Sequence, residues 1–375
     1  MSDSVPLRLR LLGFAGLGLF VIWGLFAFWM SPVSQAATPV KTPTPRFVLG
    51  KALFFEPLLS RTGTKSCGSC HDPNLAFVDR YRRGLGLQAE VLAHNTPSLI
   101  NVQYFRNFNW GNPTLTVLEK QFEGPLFGQH PPEMGAEQTD TYLQTRLKDI
   151  PEYQTMFKKA FPNNPEAMTW TNALAAIGEY TRALTSFNSP YDRYQRGDKR
   201  AMSAAALRGE QLFLSDRLKC ATCHPAPHFT DNVVGNPNES FYNIGLYNIG
   251  GTGNYPEHGQ GAFVYTNNPA DRGKYRTPSL RNALLTPPYM HDGSIATLTE
   301  VIKLFEQGGR NITYGAYVGD GRANPNKSTL IQPFTLTDAE RSDLLAFLYA
   351  LTDSTVLTNP AFLRSTKPIS TKTGY

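Results

Sequence analysis

Two short stretches carry the chemistry of this chain: Cys67-Gly68-Ser69-Cys70-His71 and Cys220-Ala221-Thr222-Cys223-His224. In C-x-x-C-H, two thiols three positions apart can each bond one vinyl group of a porphyrin. The imidazole of the next residue then reaches the iron from one face. A lone C-x-x-C would also suit a thiol redox pair or half a zinc site. Here all four cysteines fall in the two motifs, and a histidine ends each. The reading is therefore two covalently bound c-type haems. Cys67, Cys70 and His71 hold the first, Cys220, Cys223 and His224 the second, and His71 and His224 bind iron. No cysteine remains for a disulfide.

Covalent haem attachment implies maturation outside the cytoplasm, and the chain begins accordingly. Leu11 to Met30 is an uncharged apolar run behind Arg8 and Arg10, and Ser34-Gln35-Ala36-Ala37 offers small residues for cleavage. The run is longer than the ~7–15 residues of a typical signal core and close to the ~20 needed to span a bilayer. Residues 1–37 are read as a signal peptide or an N-terminal membrane anchor. Either places the rest in the periplasm or another extracytoplasmic space. The length beyond the leader suits two domains of ordinary size. A net charge of +6 without a dense Lys/Arg block suits an acidic partner and not nucleic acid.

Several elements must position these motifs. Residues 38–46 read as a Thr/Pro linker, 48–55 as a short helix leading to the first motif, and 72–93 as loop. Residues 115–122 look helical, and 124–135 read as a Pro/Gly turn region that contains Glu133. Residues 141–161 and 169–185 read as two amphipathic helices, with Leu174, Ile177 and Leu184 on one stripe. Two later helices start with capping boxes, Thr297 with Glu300 and Thr337 with Glu340. The tail after Thr352 reads as irregular and superficial.

The second half repeats the first. Gly209-Glu210-Gln211-Leu212-Phe213 echoes Gly50-Lys51-Ala52-Leu53-Phe54 ahead of its motif. Thr277-Pro278-Ser279-Leu280-Arg281-Asn282 echoes Thr96-Pro97-Ser98-Leu99-Ile100-Asn101. Matching pieces in matching order predict a mainly α fold of two cytochrome c-like haem domains related by internal duplication. The first spans 38–198 and the second 199–375, joined near 186–202. The second carries a Gly/Tyr/Asn-rich insertion from about Asn236 to Gly273.

From about residue 46 to 352 the chain resembles the bacterial dihaem cytochrome c peroxidase and MauG family. The matching pieces are Leu49-Gly50, Leu53-Phe54-Phe55, Ser66 to Pro73, Asn95-Thr96-Pro97-Ser98-Leu99, and Gln121, Pro125 and Glu133-Met134. Thr277 to Asn282, running on to Pro288-Tyr289-Met290-His291-Asp292-Gly293, completes the set. Trp110-Gly111-Asn112-Pro113-Thr114-Leu115 and Gly245-Leu246-Tyr247-Asn248 resemble the MbnH-like branch. That branch is associated with methanobactin operons and small copper-binding partner proteins.

The resemblance implies an exported enzyme that uses hydrogen peroxide to form high-valent haem and oxidise a partner. The partner is a small cytochrome, a copper protein or an MbnP-like substrate protein; a non-enzymatic dihaem electron carrier is the alternative. It implies the catalytic acid–base role for Glu133, which from residue type alone would be a solvated turn glutamate. Trp110 matches the tryptophan between the haems, where the bland reading is a core aromatic. Gln121 and Pro125 match pocket-shaping positions. Asn95, with the carbonyls of Thr286 and Pro288, matches an interhaem Ca²⁺ site; oxygen ligands suit that ion.

Three departures stand out. No histidine lies between His71 and His94 to cap the first haem, and His94 itself is read as a surface or hydrogen-bonding residue, which leaves that haem's distal face open. Phe305, seventeen residues after Pro288, stands where the peroxidases carry a ligating methionine and MauG a tyrosine. Met290, Tyr289, Tyr314 and Tyr317 are the other candidates for that ligand. Leu218 replaces the relay tryptophan of MauG, so any route for oxidising a partner must differ.

Overall fold

The computed structural model describes residues 43–364, apart from 234, together with 369. The leader 1–37 lies outside the described residues. In chain order the helices are α1 (Pro45–Phe54), α2 (Cys67–Cys70), α3 (Leu118–Phe127), α4 (Asp140–Leu147), α5 (Pro151–Ala160) and α6 (Trp170–Arg182). They continue with α7 (Pro190–Gln195), α8 (Ala204–Leu214), α9 (Cys220–Cys223), α10 (Phe263–Thr266), α11 (Leu298–Glu306) and α12 (Asp338–Ala350). The strands among the described residues are four two-residue pieces: β1 (Phe241–Tyr242), β2 (Tyr275–Arg276), β3 (Asn311–Ile312) and β4 (Gly319–Asp320). The fold is helix-rich, as the sequence predicts.

Each haem motif comes after a helix that crosses another at a glycine. α1 begins at the N-cap Thr44, whose hydroxyl accepts from Phe47 N at 3.0 Å, with Pro45 at the first helical position. It lies so close to α6 that a Cβ on Gly50 would stand 1.8 Å from the Ala176 carbonyl oxygen. α8 meets α12 in the same way: a Cβ on Gly209 would stand 1.9 Å from the Asp343 oxygen. Around the first crossing Leu49, Leu53, Phe54, Ala173, Ile177 and Tyr180 build one core. Around the second, Ala206, Phe213, Leu344, Phe347 and Leu351 build another. Leu174, Ile177 and Leu184 are all buried, as their stripe predicts.

The structure corrects three local expectations. The helix expected over 141–161 is broken into α4 and α5. Ile150 precedes proline and takes an extended conformation (φ −114°, ψ 94°), because the ring of Pro151 crowds the helical one. The segment 124–135 is not all turn: α3 runs through Pro125 to Phe127, leaving the Gln121 carbonyl without its helical donor. The tail is not superficial either. Val356 and Phe362 are buried in the first core, and Phe362 O accepts from the Tyr180 hydroxyl at 2.7 Å. Lys51 Nζ adds a bond to Pro360 O at 2.9 Å.

The insertion is tied at its base by the antiparallel pairing of β1 and β2, Phe241 with Arg276 and Tyr242 with Tyr275. Leu246, Tyr247, Tyr255 and Tyr275 join Ile295 and Leu304 in a third core. β3 and β4 pair as a short hairpin. Both expected capping boxes form, at the start of α11 and of α12. Among the described residues no helix is long and apolar enough to cross a membrane.

Candidate functional site

Each motif folds as a single helical turn that ends at its histidine. In the first, His71 N bonds Cys67 O at 2.9 Å; in the second, His224 N bonds Cys220 O at 3.0 Å. The imidazoles are then aimed by one device used twice. His71 Nδ1 is 3.0 Å from the Phe77 carbonyl, and His224 Nδ1 is 2.9 Å from the Phe229 carbonyl. A carbonyl only accepts, so Nδ1 carries the proton and Nε2 keeps its lone pair for a metal. Burial lowers both histidines, which holds them neutral. The turns that supply the carbonyls are pinned alike: Ser98 Oγ donates to Ala76 O at 2.8 Å and Ser279 Oγ to His228 O at 2.6 Å.

The cysteines behave as attachment points and not as reactive thiols. Burial first, then the Cys70 charge, pushes Cys67 up to about 12; burial pushes Cys70 to about 11 against the opposing charge of Lys65. Burial likewise pushes Cys220 to about 12 and Cys223 to about 11. Redox-active C-x-x-C pairs need the opposite shift. Among the described residues no group of three or more His, Cys, Asp or Glu side chains could hold a metal ion by itself, so a zinc site does not fit.

A haem does fit. Cys220, Cys223 and His224 open on a cavity of about 310 Å³ walled by Phe213, Leu218, Leu298, Ile302 and Leu344. Arg276 also faces it. Arg276 is 5% exposed, its guanidinium bonds to carbonyls (Asn109 at 3.1 Å, Thr277 at 3.3 Å), and among the described residues it makes no ion pair, although the charge of Asp231 acts on it. A buried, unpaired cation beside an apolar slot suits the carboxylate of a porphyrin propionate. The sequence reading missed Arg276, although it occupies the place before Thr-Pro that Asn95 occupies in the first half.

The predicted site residues gather in two groups. At the first motif, Glu133 is half-buried and near enough to Cys67 and Cys70 to raise both. Burial raises Glu133 itself above the ordinary carboxylate range, and the charge of Lys65 opposes this. Lys65 is held in turn by the Leu85 and Gly86 carbonyls. The Glu133 loop is sewn to the end of α3, since Met134 N donates to Pro125 O at 3.0 Å and Ala136 N to Leu126 O at 2.8 Å. Gln121 Oε1 accepts from Asn109 Nδ2 at 3.1 Å, next to Trp110 in the chain. His94 packs edge-on against Tyr275, 5.8 Å between centroids, and near His291 at 6.2 Å.

The second group lines the cavity. Trp110 donates from Nε1 to Asn95 O at 2.9 Å, and Asn95, Thr286 and Pro288 stand on the same wall. Asn95 Nδ2 donates to Tyr81 O at 2.8 Å, which turns its Oδ1 free of that bond. Phe305, Tyr289 and Met290 also line the cavity. Tyr289 spends its hydroxyl on Ala283 O at 3.1 Å. Tyr314 and Tyr317 are exposed and do not line it, so neither is placed to be a ligand. His291 is an unforeseen member: it is buried, stacked 3.6 Å from Tyr275, and its Nε2 has no hydrogen-bond partner.

Comparison with known proteins agrees with this chemistry. Residues 44–200 match the family model described as di-haem cytochrome c peroxidase. The chain is 35% identical to the methylamine utilization protein MauG of Methylorubrum extorquens, covering 85% of this chain and 80% of that one. It belongs to the di-haem cytochrome c peroxidase and MauG family. It is a peroxidase-type oxidoreductase. It is also 32% identical to a cytochrome-c peroxidase of Denitromonas iodatirespirans over 92% of each chain. Among solved structures it resembles a MauG-like protein associated with microbial copper homeostasis. The TM-score is 0.81 and the identity 40%, over 86% of this chain and 94% of that one. The family implies two c-type haems, hydrogen peroxide as oxidant and a partner that is oxidised.

Proposed function

We propose that this chain is an exported dihaem enzyme in which peroxide is cleaved at the first haem and the oxidising equivalents leave to a protein partner. The observation that carries the reading is Glu133, a half-buried carboxylate with a raised pKa beside the first attachment motif. When bound, each haem supplies a redox-active iron. Glu133 then takes a proton from the nearer peroxide oxygen and hands one to the departing oxygen; a pKa raised toward neutrality suits both halves of that exchange. The charge of Lys65 opposes that rise. Pro125 O holds the loop that carries Glu133, through Met134 N, and Gln121 holds Asn109 beside Trp110. Trp110 lies along the second cavity and is the stepping stone between the two centres.

Two readings of the partner remain, a small electron-donating protein or a protein whose own side chain is oxidised. The likeness to the MauG-like copper-homeostasis protein favours the second, with a small copper-associated substrate protein as the partner. Asn95 Oδ1 and the carbonyls of Thr286 and Pro288 are proposed to bind one Ca²⁺. The paired devices at Gly50 and Gly209, at His71 and His224, and at Ser98 and Ser279 support an origin by duplication of one haem domain. The division is then 38–198 and 199–375, with segment 353–362 returning to the first core. The leader 1–37 delivers the chain to the periplasm. Stopped-flow absorption of the fully ferric protein mixed with peroxide tests the function. A spectral change that decays on adding the partner supports it, and no reaction with peroxide refutes it.

A further inference from the structure

Leu218 is buried in the wall of the cavity where MauG has a relay tryptophan, so oxidising equivalents need a different way out. A connected set of rings offers one. Tyr255 lines the cavity and is 3% exposed; Tyr247 behind it is 2% exposed; Tyr317 beyond is 37% exposed. Their centroids are 5.5 Å apart for the first pair and 5.7 Å for the second, both edge-on. Trp110 packs against the same cluster. At such separations the ring edges touch, and an electron crosses touching rings far faster than it crosses the whole gap at once.

We propose that Tyr255, Tyr247 and Tyr317 form an electron relay from the haem cavity to the surface, ending where the protein partner docks. The proposal rests on the peroxide-driven oxidation of a partner argued above. Hydrogen bonding decides where the hole rests. The Tyr255 hydroxyl donates to an amide oxygen, Asn243 Oδ1, at 2.7 Å, and an amide does not accept a proton. The Tyr247 hydroxyl donates to Asp292 Oδ2 at 2.5 Å, and a carboxylate does. Tyr247 therefore loses one electron toward the cavity while its proton moves to Asp292, leaving a neutral tyrosyl. Tyr317, or a partner side chain against it, returns one electron, and Asp292 returns the proton. Two such passes supply the two electrons that one hydrogen peroxide, taking two protons from solvent, consumes on reduction to two waters, and the oxidised partner side chain gives up those two electrons.

The exit is marked on the surface. Tyr314, 85% exposed, and Val318, 46% exposed, flank Tyr317 on the β3–β4 hairpin, and His258 faces it at 6.3 Å. Burial, then the charges of Arg83 and Arg82, lowers His258, while Asp292 and Glu257 act the other way. A tyrosine-bearing tip beside two arginines suits a partner with an acidic face around its oxidisable residue.

The test is made on the dihaem protein with peroxide, without partner, in the presence of a nitroso spin trap. Trapped tyrosines are located by mass spectrometry and the radical is followed by electron paramagnetic resonance. The wild type should carry the adduct at Tyr317, and Tyr247→Phe should lose it while keeping its haem content and its spectral response to peroxide. Tyr317→Phe, a change at the surface, should strand the hole and prolong the tyrosyl signal. An adduct at Tyr317 that survives Tyr247→Phe, no adduct there in the wild type, or an unchanged radical lifetime in Tyr317→Phe overturns the relay. If peroxide leaves the haem spectrum unaltered, the proposed function fails instead. The relay is then read in reverse, by oxidising the ferrous protein from outside with photogenerated ruthenium tris-bipyridine. Slower haem oxidation in Tyr247→Phe supports the relay, and an equal rate overturns it.

Discussion

Removing the guanidinium of Arg281 should damage the second haem site through a single buried ion pair. Arg281 and Asp192 side chains are 2% and 8% exposed, and they meet through two bonds of 2.9 and 2.8 Å. Arg281 Nε also donates to Pro227 O at 2.7 Å, in the loop that brings the Phe229 carbonyl to His224. Burial alone would raise Asp192, but bonds from Arg281 and Ser189 hold it below the ordinary carboxylate range. Arg281→Met strands a buried carboxylate, which costs about 3–5 kcal/mol. At roughly 2–4 °C per kcal/mol for domains of this size, the midpoint should fall by about 6–20 °C. Arg281→Met with Asp192→Leu should recover most of this. The part still lost is the Ser189–Asp192 capping box, worth about 1 kcal/mol. The pH dependence has a definite sign. In the wild type the depressed Asp192 contributes stability above the unfolded value of about 3.9, and that contribution is lost as pH falls through the folded value. In Arg281→Met the stranded carboxylate is raised, so acid relieves it, and the gap between the proteins should narrow on acidification. Thermal melts across pH, with the haem absorption recorded, decide the matter. A double variant no more stable than Arg281→Met, or a gap that widens in acid, would refute the reasoning.

Other changes read other parts of the site. Glu133→Gln should bind both haems yet slow the peroxide reaction by about 10²–10⁴-fold. The wild-type rate should rise with pH through the raised Glu133 value, a limb absent from the variant's stopped-flow profile. Gly209→Ala places a carbon 1.9 Å from the Asp343 oxygen and should cost at least about 1–3 kcal/mol in urea titration; an unaltered midpoint would mean that α8 and α12 separate freely. Phe305→Tyr adds a hydroxyl inside the second cavity. Bound to iron, it should lower the potential of that haem in a redox titration. Left unbound, it should cost about 1–3 kcal/mol as a buried, unsatisfied group.

Legibility in the chain divides along a physical line. The attachment motifs, the capping boxes at Thr297 and Thr337, and the stripe through Ile177 depend on neighbours within a few residues, so spacing displays them. The break at Ile150 is also local, and Pro151 announces it; the amphipathic period on either side conceals it. α3 continues past Pro125 because proline costs a helix one bond, and tertiary contacts at Leu118 and Leu126 outweigh that loss. The burial of Val356 and Phe362, the cation Arg276 and the stacked His291 depend on partners more than a hundred residues away for the tail and on the folded cavity for the others. No periodicity encodes such contacts.

The two sites are alike where they must hold a haem and unlike where they must use it. Both aim a neutral histidine with a backbone carbonyl, and both leave their cysteines half-buried. Beside the first motif stands Glu133, raised by burial and opposed by the charge of Lys65; beside the second stands Asp231, held by the Tyr242 hydroxyl at 2.8 Å. The second motif opens on an apolar cavity shared with Trp110 and the tyrosine cluster, and Phe305 lines it. A proton-handling group is needed where the O–O bond breaks and is a liability where charge must only be stored and passed on. An apolar wall around the second site excludes water that would quench a stored equivalent. The tyrosine cluster on that wall is the part proposed to conduct it away. On the function proposed above, this difference between the two sites separates peroxide chemistry from partner oxidation. The proposed relay then puts partner specificity beyond the second cavity, on the β3–β4 hairpin, and not around Glu133.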